Sequence, residues 1–206
     1  MTEKFFFHDW VGKMIKLTTT NPPSEWKLVT KLSDKSSQQS AEDYNENCSA
    51  SGTAYGSFVC QNTNDSSDMA IMKIIMQVPY RGSEYAIHAE RARQACERVS
   101  GPDYTTIYVF KLLRDNNCNA APRIRAHEGI LQDDSMLVPG GFLHYVLMDK
   151  AGGVQLTEEL FWSYDLDERN RIREAYKEAW REWTRCGVSG GAYISHLFWD
   201  SNAGKM

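Results

Sequence analysis

Lys73 stands in the middle of Met69-Ala70-Ile71-Met72-Lys73-Ile74-Ile75-Met76-Gln77-Val78, a run that is otherwise almost wholly apolar. A run of this length rich in β-branched residues reads as a buried strand. Desolvating an ammonium in such a strand is costly unless the group reaches water or meets an anion. Lys73 therefore either snorkels out of the sheet or faces an anionic ligand. Upstream, Gly52-Thr53-Ala54-Tyr55-Gly56-Ser57-Phe58-Val59 reads as a glycine-bearing turn entering a strand. Gly52 and Gly56 ahead of Ala70-x-x-Lys73 form a layout suited to cradling phosphates, with the lysine supplying charge. The competing reading is an ordinary amphipathic strand with a surface lysine.

Other chemistry-bearing residues are dispersed. The five cysteines, Cys48, Cys60, Cys96, Cys118 and Cys186, show no CxxC spacing, so the sequence indicates neither a zinc site nor a disulfide framework. The five histidines, His8, His88, His127, His144 and His196, share no ligand spacing. Cys186 has no nearby His–carboxylate pattern to activate it as a nucleophile. With 206 residues, 42% hydrophobic and 12% aromatic, the chain can build a real core. A net charge of −4 argues against a nucleic-acid binder working by charge neutralisation. No stretch approaches the length of a membrane span or a signal peptide, and a cytoplasmic protein without membrane contact is expected.

These residues need elements to hold them. Trp26–Leu32 alternates as a strand, and the Ser-, Gln- and Asn-rich residues 33–51 read as a loop or disordered insert. Residues 56–60 and 69–78 read as two strands joined by the polar turn Gln61–Asp68. Glu84–Arg98 has the composition of a helix, and Asp103 begins a second one. Pro122–His127 and Phe142–Met148 read as strands. Asp165-x-x-Glu168 is a capping box. Behind it, Ile172, Ala175, Tyr176, Ala179, Trp180 and Trp183 recur at helical steps, and Gly187 sits at the C-terminal cap position. His196–Asp200 is strand-like. The order predicts an α+β arrangement.

Taken together, these segments resemble a kinase-like family common in fungi, distantly related to protein kinases and aminoglycoside phosphotransferases. The resemblance runs from about Gly52 onward. It rests on Ala70-Ile71-Met72-Lys73, on Val78-Pro79-Tyr80-Arg81-Gly82-Ser83-Glu84-Tyr85 with Glu90–Ala95, and on Val138-Pro139-Gly140-Gly141-Phe142-Leu143. Tyr145-Val146-Leu147-Met148-Asp149, Ile172–Trp180 and Leu197-Phe198-Trp199-Asp200 extend it. It implies a protein-kinase-like N-terminal lobe, an antiparallel sheet plus a regulatory helix, with a partial helical C-terminal lobe. Residues 1–51 would be lead-in and flexible insert, 52–155 the N-lobe, and 156–206 a truncated C-lobe fragment. ATP is the implied ligand, with adenine against Ala70 and Met148, hinge backbone at Asp149 and Ala151, and phosphates at Lys73 under Gly52 and Gly56.

Catalysis is not implied. Thr106 stands where a glutamate would pair Lys73, Gly191 where the base belongs, and His196 where a metal-binding asparagine belongs. Mg²⁺ prefers oxygen ligands, and the family's Asp-Phe-Gly-type aspartate has no counterpart in the sequence. The leading expectation is thus a catalytically degenerate, pseudokinase-type protein that binds ATP or a protein partner. An active phosphotransferase using Asp200 or Glu174 as base is one alternative. A ligand-free interaction protein or truncated relic, using exposed aromatics Trp180, Trp183, Phe198 and Trp199, is another.

Overall fold

Two-residue alternation shapes the first half of the chain. In the computed structural model, which describes residues 5–6, 10–46, 51–99, 101–189 and 193–206, β1 (Met14–Leu17) pairs antiparallel with β2 (Ser24–Ser37). After a short helix, α1 (Ala41–Glu46), come β3 (Gly52–Asn62) and β4 (Met69–Val78). Two helices follow, α2 (His88–Ala92) and α3 (Gly101–Asp115), then β5 (Ile124–Leu131) and β6 (Phe142–Asp149). The six strands form one sheet in the order β1-β2-β3-β4-β6-β5, antiparallel at each pairing.

Along β4, Ala70, Met72, Ile74 and Met76 point to one face and join Leu28, Phe58, Leu143, Tyr145 and Leu147 in the main core. That face is also filled by Phe5, Phe6, Trp10, Ile15 and Leu17. Phe6 lies edge-on to Trp10 and to Phe58, at centroid distances of 5.0 and 5.9 Å. Burying each such ring contributes about 2–3 kcal/mol. At the far edges, Thr18, just past β1, donates through its backbone N–H and its hydroxyl to the Glu128 carboxylate on β5, at 2.5 and 2.7 Å. The Thr19 hydroxyl donates to the His127 carbonyl at 3.0 Å.

The kinase-like lobe expected from the sequence is therefore corrected. The sheet curls into a nearly closed barrel of six antiparallel strands with few helices. The physical reason is the apolar N-terminal segment, which fills the inner face, together with the Thr18–Glu128 seam, which ties the edge strands. A filled inner face and a long-range, charge-assisted hydrogen-bonded seam turn an open sheet into a closing one.

Local expectations also shift. Glu84–Arg98 is not one helix. Arg91 donates to the carbonyls of Met136 and Leu137, and Gln94 accepts from the Tyr80 N–H, so only His88–Ala92 is helical. The buried Gln77 side chain donates to the Gln94 carbonyl and accepts from the Cys96 N–H, fixing the same segment. Side-chain bonds to backbone here outcompete helix propensity. Residues 33–46 are likewise structured, as the end of β2 and as α1.

The chain divides into two units. One holds the residues up to Ile107 together with Ile124–Asp149, and the other holds Tyr108–Arg123 and Lys150–Met206. In the second, β7 (Val154–Gln155) precedes α4 (Glu158–Ser163) and α5 (Leu166–Arg185), and β8 (Phe198–Trp199) returns to pair with β7. The partial helical lobe expected here is thus two helices and a short ribbon. Asp165 caps α5 as its spacing predicts, accepting from the Glu168 N–H at 2.8 Å. Ile172 and Ala175 of α5 pack with Leu156 and Trp199 into a small core. Among the described residues, no helix is long and apolar enough to cross a membrane.

Candidate functional site

The sheet sorts the residues marked from the sequence onto opposite faces. Lys73 lies opposite Val146, and Met148 opposite Ile71, so Lys73 and Met148 share the outer face. Ala70 pairs with Asp149 on the other face, where Ala70 is fully buried in the core. Gly52 and Gly56 lie inside the β3–β4 ladder opposite Val78 and Ile74, not in a turn. A Cβ on Gly56 would come within 3.0 Å of the Phe6 ring, so close ring packing accounts for that glycine. The Asp149 carboxylate accepts from Arg125, which also holds Asp68. Ala151 falls in the second unit. Gly191 lies outside the described residues, Thr106 lies on α3, and His196 ends a 3-10 turn in the second unit.

The outer face around Lys73 is basic. Lys35 pairs with Tyr55 and Lys73 with Ser57, so the two lysines sit diagonally across β3. Burial, reinforced by the neighbouring Lys35 charge, holds Lys73 below the ordinary lysine value. On the same face, the His127 and His144 rings stack at 5.1 Å, with Nε2 of His127 2.8 Å from Nδ1 of His144.

The second unit offers a different kind of site. Leu156, Phe161, Ile172, Tyr176, Ile194 and Leu197 enclose a cavity of about 380 Å³ beside α5. Met206 also lines it, Arg173 and Lys177 stand on its rim one turn apart, and no Asp or Glu side chain lines it among the described residues. The Arg173 guanidinium lies 5.3 Å from the Phe161 ring centroid, while Lys177 donates to Glu174. An adjoining depression is formed by Tyr176, Lys177, Trp180 and Arg181. Helical spacing produces this surface. Ile172 and Tyr176 are four apart and form the apolar wall, and Arg173, Lys177 and Arg181 follow the same rise one residue on.

The aromatics read as exposed divide. Trp199 is 1% exposed and its Nε1 donates to Glu168 at 2.7 Å. Trp183 donates to the Ala120 carbonyl at 2.9 Å. Trp180 stays 38% exposed, and Trp162, which the sequence reading did not single out, is 62% exposed. The groove was missed because Leu156, Ile194 and Leu197 come from segments distant in sequence from α5.

A set of metal-type donors also converges in this unit. The sulfurs of Cys118 and Cys186 and a carboxylate oxygen of Glu182 lie within 4.8 Å of one another. The sequence signal was faint, because Cys118 and Cys186 lie far apart and only Glu182 and Cys186 share a helical step.

Comparison with family models, curated proteins and solved structures returns no match. None of these comparisons identifies a kinase-like family, and the functional reading rests on the sites themselves.

Proposed function

We propose that this chain is a non-catalytic binding protein that takes an acidic, apolar-anchored segment of a partner protein in the groove beside α5. One observation carries the reading. The groove combines an apolar wall large enough for one or two side chains with a rim of Arg173 and Lys177, continued by Arg181. An apolar anchor would leave water for the cavity, and flanking carboxylates would meet the rim cations. Exposed ion pairs contribute little singly, so the rim supplies selectivity and the anchor supplies affinity. The Lys177–Glu174 pair is exposed on both sides, so a partner carboxylate exchanges with it at small cost.

The test is fluorescence anisotropy with two synthetic peptides that share apolar anchors and differ in acidic or basic flanks. Preference for the acidic peptide by about tenfold, equivalent to about 1.4 kcal/mol, and its loss in Arg173→Glu/Lys177→Glu, support the reading. Equal binding of both peptides, or no effect of the double variant, overturns it.

A second reading is favoured by the Lys35–Lys73 pair. Lys73 is half-buried on β4 with the exposed Lys35 diagonally across β3, and an anion such as an ATP phosphate would favour its charged form. Thermal shift with ATP on the parent chain and on Lys73→Met tests it. A shift lost in the variant supports it, and no shift at saturating ATP removes it.

A further inference from the structure

Two helix exits in the second unit hold three ligand atoms together. At the end of α3, Asn117 adopts a left-handed conformation with φ of 54°, and the Cys118 N–H bonds the Leu113 carbonyl at 2.8 Å. At the end of α5, Gly187 does the same with φ of 78°, and the Val188 N–H bonds the Trp183 carbonyl at 3.0 Å. Both are Schellman-type closures. They place Cys118 just past one helix and Cys186 at the cap of the other. Glu182 and Cys186 are one turn apart on α5, so their side chains share a face.

Two further bonds strap the segments. Trp183 Nε1 donates to the Ala120 carbonyl at 2.9 Å, and Arg185 donates to the Asn116 carbonyl at 3.0 Å. The backbone is thus held with the donors already converged and with no ion needed to bring them there.

We propose that Cys118, Glu182 and Cys186 bind a thiophilic divalent cation, Zn²⁺ being the best match, in a three-ligand site with one position open. Hard cations prefer all-oxygen sets, whereas Zn²⁺ takes mixed thiolate and carboxylate ligands in tetrahedral geometry. Bonds of about 2.3 Å to sulfur require donors about 3.7 Å apart. The observed separations within 4.8 Å reach that by small side-chain rotations. Burial, with the nearby Cys186 and Glu182, pushes the Cys118 thiol up. A cation reverses that penalty, and the two thiol protons pass to solvent as it binds.

Arg185 holds Glu182 at 2.9 and 2.7 Å, yet a carboxylate keeps lone pairs for a metal. Of the three donors, Glu182 also borders a cavity of about 240 Å³, together with Asn119 and Glu178. A disulfide would explain two cysteines but not the converging carboxylate.

Co²⁺ titration of the reduced full chain, followed by Zn²⁺ displacement, tests the site. The expected result is a thiolate-to-cobalt charge-transfer band that saturates at one equivalent and is abolished by Zn²⁺. Cys118→Ser and Cys186→Ser each remove it, Cys96→Ser keeps it, and Glu182→Gln weakens affinity by about tenfold or more. No band with the parent chain, or a band that survives in Cys118→Ser, overturns the proposal. So does closure of a Cys118–Cys186 disulfide by oxidised glutathione in a chain that gives no cobalt band. Should Cys186→Ser fail to fold, Cys118→Ser, at a half-buried position, decides alone.

Discussion

Lys73 shows how a single desolvated charge is read from sequence and then located in space. Burial comes first among the causes that hold it below 10.5, and the Lys35 charge second. Between its lowered folded value and 10.5 the unfolded chain binds more protons than the folded one, so stability rises with pH across that window. Below the window the charged lysine is a net penalty. Lys73→Met should therefore stabilise the first unit near neutral pH by about 1 kcal/mol, and it should lose this alkaline rise. Urea midpoints at neutral and alkaline pH, parent against variant, measure both. A destabilised variant that keeps the rise would contradict the assignment. The apolar run made Lys73's difficulty legible. What it could not give was the alternation that sends Ala70 to the core and Lys73 outward, because parity alone does not say which face a neighbouring segment covers. Gly56 shows the same limit. A Cβ there would crowd the nearby Phe58 ring and also the Phe6 ring, a residue far upstream whose packing no local pattern announces.

At the scale of elements, the parts with local signals formed where the sequence placed them. β4 spans Met69–Val78, β6 covers the Phe142–Met148 run, and α5 begins behind Asp165. Their apolar periods and cap residues are short-range physics. Glu84–Arg98 departed because Arg91, Gln94 and Gln77 spend their hydrogen bonds on loop backbone, a tertiary choice hidden from propensity. The β7–β8 ribbon is another element of this kind. Gly153, with φ of 74°, sits so close to the Trp199 carbonyl that a Cβ would approach its oxygen to 2.2 Å. Gly153→Ala should cost about 3 kcal/mol or more through backbone clash and left-handed strain. It should also expose Trp199, read as a red-shifted tryptophan emission and a lower thermal midpoint. An unchanged midpoint would mean that the ribbon is not held by this close approach.

At the scale of the whole molecule, closure was the feature least visible beforehand. The Thr18–Glu128 seam joins residues 110 positions apart. Glu128, 9% exposed, accepts two hydrogen bonds there. Charge-assisted bonds of this kind contribute about 1.5–3 kcal/mol each. Glu128→Ala should lower the stability of the first unit by about 2–3 kcal/mol, measured by urea unfolding, whereas Glu128→Gln should retain part of it. Equal loss in both variants would point to charge and not to the hydrogen bonds. Segments of the right kind in the right order suggested a kinase-like lobe, and an edge-to-edge tie with a filled interior changed the outcome. The groove was equally hidden, since Ile194 and Leu197 reach α5 only through the chain's return.

We propose that binding belongs to the groove beside α5. Hydrogen-exchange mapping of the full chain with the acidic-flanked peptide, and separately with ATP, tests it most directly. The peptide should slow exchange along Ile172–Arg181 and Ile194–Leu197, and Arg173→Glu/Lys177→Glu should abolish the protection. Peptide protection confined to strands β3, β4 and β6, or absent altogether, would contradict it.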